Sequence, residues 1–362
     1  MSWFLAFLGF AVLVILHELG HFTVAKLVGM RVEKFSLFFP PTLVSKKIGE
    51  TEYAIGAIPA GGYVKISGMN PDEELPPEVR DRAYHAQPVW KRIAVILAGP
   101  AVNVVVALVL LFVFWSAIGP ETRTDRIGVI EKESPAADGG LKPGDRLVSV
   151  DGVRGDTNEL SKRISSHRCP GEPRDGCRAA EPAKLVVERG DGERSFSITP
   201  EFDGNEGVER TRVGFGYARS GKHETLPVGD AVDVSLDQFW FITKTTVTLP
   251  ARIFNSEERK QISGIVGSYE ATRQTILADI GEVVLIMALV SLSLAIVNLF
   301  PFLPLDGGHI FWAVVEKVRG RPVPLAVMER SGVVGFMLVI GLFLIGLTND
   351  IGRLTGEGFT PP

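Results

Sequence analysis

The sequence predicts a polytopic α-helical membrane protein with about four transmembrane helices, a membrane-associated β-loop and an inserted extracytoplasmic β-rich domain. Three observations predict it. Hydrophobic residues make up 46% of the 362 and gather in four long runs. The mean hydropathy is +0.20 even though 22% of the residues are charged, so membrane and aqueous parts are mixed in one chain. Turn glycines and alternating apolar residues fill the polar stretch between the second and third runs.

The runs are Trp3 to Val28, Ile93 to Ile118, Val283 to Phe300 and Val333 to Leu347. Each is long enough, or nearly so, to cross roughly 30 Å of hydrocarbon as a helix. The first is read as a span and not a signal peptide, because Met1 to Leu16 has no basic residue ahead of it and no small-residue cleavage pattern follows. Lysines and arginines in the loops from Gly29 to Lys91 and from Lys317 to Arg330 place both loops in the cytoplasm. The N-terminus, the segment from Gly119 to Glu282 and the tail then lie outside. The expected divisions are 1–118, 123–202, 203–280, 281–348 and a tail, 349–362. A net charge of −4 gives no basic field, which argues against a nucleic-acid partner.

Within the first loop, EYAIGAIPAGGYVKISGM (Glu52 to Met69) has β-prone apolar residues interrupted by Pro59, Gly61 and Gly62. It reads as a bent strand or hairpin dipping against the membrane, which is tolerable only where protein buries it or water lines it. That makes it a candidate cavity wall. In the outer segment, GLKPGDRLVSVDG (Gly140 to Gly152) precedes the alternating KLVVERG and RSFSITP. These describe a small β domain at roughly Arg123 to Phe202. Cys169 and Cys177, the only cysteines, stand close together there, and a short disulfide suits an oxidising compartment better than a zinc pair without further ligands. Residues 203–280 are polar with amphipathic patches such as FWFITKTTVTLPARIF, and suggest helices lying against the membrane.

The polar groups inside the runs carry the chemistry. In LHELGHF, residues 16 to 22, His17 and His21 are one helical turn apart and share a face. That spacing suits zinc binding by two imidazoles, with Glu18 as general base. Ionisable groups in hydrocarbon cost a few kcal/mol each, so a metal site outweighs a structural polar cluster. If Trp3 marks the outer interface, His17 lies roughly 21 Å in. A third ligand is expected from NLFPFLPLDGGH, residues 298 to 309. There Pro301 and Pro304 break the helix and Gly307 and Gly308 allow a tight turn, so that Asp306 can face inward. His309 is the competing ligand or a supporting residue. Asn298 can donate its amide to a substrate carbonyl or bond a neighbouring helix. His85, His167 and His223 stand alone in polar loops and default to surface roles.

HELGH, IPAGGYVKI, LAGPAVN (Leu97 to Asn103), GLKPGDRLVSVDG and NLFPFLPLDGGH occur here in one order. Together they resemble the bacterial site-2 protease family of intramembrane zinc metalloproteases, from Phe4 to about Val318. GLKPGDRLVSVDG by itself is similar to the signature of PDZ domains. The resemblance implies a Zn2+ enzyme of the bacterial inner membrane that cuts single-span membrane proteins, typically anti-sigma factors already trimmed by another protease. It implies His17, His21 and Asp306 as zinc ligands, Glu18 as the catalytic glutamate, Asn298 in substrate handling and IPAGGYVKI as the membrane-associated β-loop. The edge of that segment, with Gly61, Gly62 and Tyr63, is expected to take a locally unwound substrate by strand addition. SGIVG (Ser263 to Gly267) loosely resembles a short motif of the family ahead of the third span. One PDZ-like signature stands where the family also shows tandem pairs. A non-catalytic receptor with a structural metal site, or a metal transporter, are the rival readings.

Overall fold

The computed structural model describes residues 2–70, 73–190, 192–204, 210–252, 281–321 and 323–355, with residues 259 and 267 besides. The chain divides into two units. One comprises Met1–Gly119 with Thr225–Pro362, the other Pro120–Glu224.

In the first unit, a proline-free apolar run gives helix α1 (Ser2–Leu27). Two long strands follow, β1 (Val32–Ile48) and β2 (Thr51–Ile66). Helix α2 (Val89–Val113) starts after Pro88 and runs into a wider helical turn at Phe114–Ile118. Among the described residues three helical stretches are long and apolar enough to cross a membrane: Phe7–Leu27, Val89–Ile118 and Ala326–Gly352. The Glu282–Asn298 helix is apolar but shorter.

β1 and β2 form more than the hairpin expected from residues 52–69 alone. Residues 44–48 pair with 51–55, while residues 34–37 lie between 52–55 on one side and 62–65 on the other. The ribbon therefore doubles back, and residues 62–66 form its rim. Pro40 and Pro41 interrupt β1 where it bends. A Cβ on Gly56 would collide with the carbonyl of Phe39, so the crossing is passable only for glycine.

The second unit is a β-rich domain. Strands β3 (Glu121–Ile130), β4 (Arg146–Val150), β5 (Ala183–Arg189), β6 (Gly192–Ile198) and β9 (Phe215–His223) make one sheet in the order β6-β5-β4-β3-β9. β7 (Glu201–Asp203) and β8 (Arg210–Arg212) make a small second sheet. Short helices α3 (Pro135–Asp138) and α4 (Thr157–Ser165) complete it, α4 being capped by the Asp156 carboxylate. Ile127, Leu147, Val150, Leu160, Leu185 and Val187 form the buried core. The unit ends at Glu224 and not at Phe202, because β9 returns from beyond the expected boundary to pair with β3. Cys169 and Cys177 are joined in a disulfide, their Cα atoms 6.1 Å apart.

The region expected as interfacial linker contains α5 (Val228–Arg252). α5 buries Ala231 and Ile242 and exposes Val232, Leu236 and Trp240. Residues 253–280 lie outside the described residues apart from 259 and 267, and with them all of SGIVG except Gly267. The chain then forms α6 (Glu282–Asn298), α7 (Asp306–Arg319) and α8 (Leu325–Thr355). α7 takes in Gly307 and Gly308, expected as a tight turn, and runs on to Arg319 into the stretch expected as a cytoplasmic loop.

Candidate metal centre

His17, Glu18 and His21 sit on the second half of α1, where both histidines are buried. α2 supports them at close range. Cβ atoms are missing at two facing positions: one on Gly20 would come 2.6 Å from the carbonyl of Ala98, and one on Gly99 would collide with His21 Nε2. The helices can therefore touch backbone to backbone. His21 Nδ1 donates to the carbonyl of Val95 at 2.8 Å, which turns the Nε2 lone pair toward the centre of the site.

The third arm arrives from α6 and α7. Ser291 Oγ donates to the carbonyl of Asn103 at 2.9 Å and ties α6 to α2. After Asn298 the chain turns sharply and restarts as α7 with Asp306 in its first turn. A Cβ on Gly308 would stand 2.5 Å from the backbone nitrogen of Leu303, and one on Gly307 would collide with the carbonyl of Leu299. Both glycines are demanded by the tightness of this turn. On its other side the turn packs against Gly335 of α8, where a Cβ would collide with Leu303.

The outcome is a triangle. His17 Nε2 and His21 Nε2 are 3.2 Å apart, and Asp306 Oδ2 lies 3.2 Å from each. Asp306 Oδ2 and His17 Nδ1 are buried without hydrogen-bond partners. The three acceptor atoms of the triangle, the two Nε2 and Asp306 Oδ2, repel one another at this distance unless a cation gathers them. A tetrahedron with metal–ligand bonds of roughly 2.0–2.1 Å has edges of about 3.3–3.4 Å, so the observed triangle fits one face of a zinc site and leaves a corner open. Among the described residues this is the metal-suited cluster of His, Cys, Asp and Glu. His309 lies outside it.

A cavity of about 360 Å³ opens on the triangle. Glu18 and Asn298 line it, together with Gly61, Gly62 and Tyr63 from the rim of the β1–β2 ribbon. A Cβ on Gly62 would approach Glu18 Cγ to 3.0 Å, so the rim strand lies directly against the glutamate. Phe39 stacks parallel to Tyr63, with ring centroids 6.3 Å apart, and adds an aromatic wall with Phe10 and Leu294. Phe39, Gly99 and the Val95 carbonyl were not legible as site elements. Only the LAGPAVN motif hinted at the second of these.

The sequence model of peptidase family M50 matches residues 5–342. "Putative zinc metalloprotease BR1156/BS1330_I1152" of Brucella suis is 33% identical over 94% of this chain and 92% of its own length. Zinc metalloprotease Rip1 of Mycobacterium tuberculosis is 31% identical, over 93% of this chain and 94% of its own.

Proposed function

This chain belongs to peptidase family M50 and is a zinc metalloprotease, and from that premise we propose that it cuts a peptide bond within or near the transmembrane segment of single-span membrane proteins. The observation that carries the proposal is the placement of the His17–His21–Asp306 triangle and Glu18 on a cavity among apolar helices. A protease of soluble substrates has no use for such a location.

His17, His21 and Asp306 are the residues that would hold zinc. Bound there, zinc supplies a Lewis acid and makes water acidic enough to yield a nucleophile at neutral pH. Glu18 takes the proton from the attacking water and returns it to the leaving amine. A substrate helix hides its carbonyls in its own hydrogen bonds, so it must open locally before attack. Gly61, Gly62 and Tyr63 offer the rim of a sheet to which an opened segment can add as a strand, beside Glu18. Asn298 donates its amide to the substrate carbonyl.

α6 counts as the fourth span in this reading. Its 17 residues extend roughly 25 Å, so it ends short of the far side of a core roughly 30 Å thick, and the turn to Asp306 falls within the membrane. The positive loops put the site toward the cytoplasm of a bacterial inner membrane and the β-rich unit outside. That unit is read as a PDZ-like module for extended chain ends, and anti-sigma factors trimmed by another protease are the substrates expected. The test is co-expression of wild type and Glu18→Gln with candidate single-span regulators. A truncated cytosolic fragment made only by the wild type is the expected result. Substrates bound in zinc-loaded proteoliposomes but never cut would return the site to a structural role.

A further inference from the structure

α2 is the bar against which the three ligands are measured. α1 docks on it through Gly20, Gly99 and the bond from His21 Nδ1 to Val95. α7 docks on it by different means. Arg92, one turn before Val95, donates from Nη1 to Glu316 Oε2 at 2.9 Å and from Nη2 to Glu316 Oε1 at 2.7 Å. Glu316 lies on α7, the helix that begins with Asp306. The Arg92 side chain is only 9% exposed, its guanidinium stands 5.9 Å from the centre of the Tyr84 ring, and Ile310 of α7 packs on the same cluster as Val95 and Ile96.

An ion pair with one partner buried and the other, Glu316, 26% exposed is a poor device for stability, since desolvation of the arginine offsets much of the attraction and solvent screens the carboxylate. It is a good device for register. A two-pronged fork fixes distance and rotation together, which neither a lysine nor apolar packing does. Apolar contacts alone allow α7 to slide along α2, and any slide moves Asp306 against the His21 imidazole, which is bonded to α2, and against His17 on the same helix as His21. We infer that Arg92 and Glu316 are positioning residues that set α7 on α2 and thereby hold Asp306 at the distance zinc requires. The inference rests on the reading of His17, His21 and Asp306 as the metal ligands.

The test is Zn2+ titration of the metal-stripped full chain in detergent against a competing chelator. The proteins are wild type, Asp306→Ala, Arg92→Lys, Glu316→Gln and the Arg92→Lys/Glu316→Gln double variant. Each single change is expected to weaken zinc binding by about 10- to 100-fold, the range for lost support around a metal ligand. The double variant is expected to bind no more weakly than the worse single, because both break one device. The ligand-field spectrum of the cobalt-loaded singles should differ from that of wild type. Singles that bind like wild type while Asp306→Ala does not, or losses that multiply in the double, overturn the inference. Should Asp306→Ala itself bind like wild type, the ligand assignment fails first. Arg92→Lys keeps the charge and decides the matter where Glu316→Gln fails to fold.

Discussion

Gly99 stands so close to His21 that a methyl group at its Cα would run into Nε2, the atom that faces Asp306. The other ring nitrogen is held by Val95 one turn earlier on the same helix. The imidazole is therefore gripped between two backbone points of α2. Gly99→Ala should displace it and lower zinc affinity on the order of 10- to 100-fold, although alanine is the better helix former. Chelator competition measures this. Unchanged affinity would mean that α1 and α2 part without cost.

Asp306 and His309 stand on the same helix, but only Asp306 reaches the two imidazoles. Asp306→Asn should lose most bound metal, while His309→Ala should keep about one zinc per chain. Elemental analysis of the purified variants distinguishes them. The reverse pattern would move the third ligand to His309.

The site was legible where chemistry is local. The i, i+4 spacing of His17 and His21 needs only a helix, and LDGGH marks its own turn by composition. What brings these together was not legible. The LAGPAVN motif marks Gly99 but does not reveal that His21 lies opposite, because contacts between helices leave no local period. Gly307 and Gly308 signal the turn but not the helix that starts there, being poor helix formers, and they are there because a Cβ would strike the preceding turn. The folding back of β1 on two segments of β2, and the return of β9 to β3, are long-range pairings of the same kind. Asp151 and Gly152 after β4 were easier, both adopting positive φ in the two-residue turn that Asp-Gly favours.

The nearest atoms that a side chain at Gly62 would meet belong to Glu18, Ser36 and Val14, none of them a metal ligand, so changing it should separate binding of the metal from catalysis. Gly62→Val should retain zinc but push the Glu18 side chain aside, with kcat falling about 100-fold, the scale of a misplacement near 1 Å. Cleavage of a reporter span, read alongside metal content, tests it. A kcat equal to wild type would free the rim strand from any role beside the glutamate.

Asp145, in the GLKPGD turn, shows how the β-rich unit should respond to acid. Its buried carboxylate accepts from Arg189 Nε at 2.6 Å and Nη2 at 2.7 Å, and from the Lys142 amide at 2.8 Å. The Arg189 guanidinium, helped by that amide, holds its pKa below the usual carboxylate range. A carboxylate depressed on folding stabilises fully above its unfolded pKa, roughly 3.9, and the contribution drains away as pH falls from there through the folded value. Asp145→Asn should therefore cost about 2 kcal/mol at neutral pH, the scale of a lost charged hydrogen bond. It should also flatten the fall in stability below about pH 4. Hydrogen exchange at the core strands β4 and β5, followed in the full chain from neutral to acid pH, gives both quantities. Equal slopes in the two proteins would mean that another carboxylate governs the acid response.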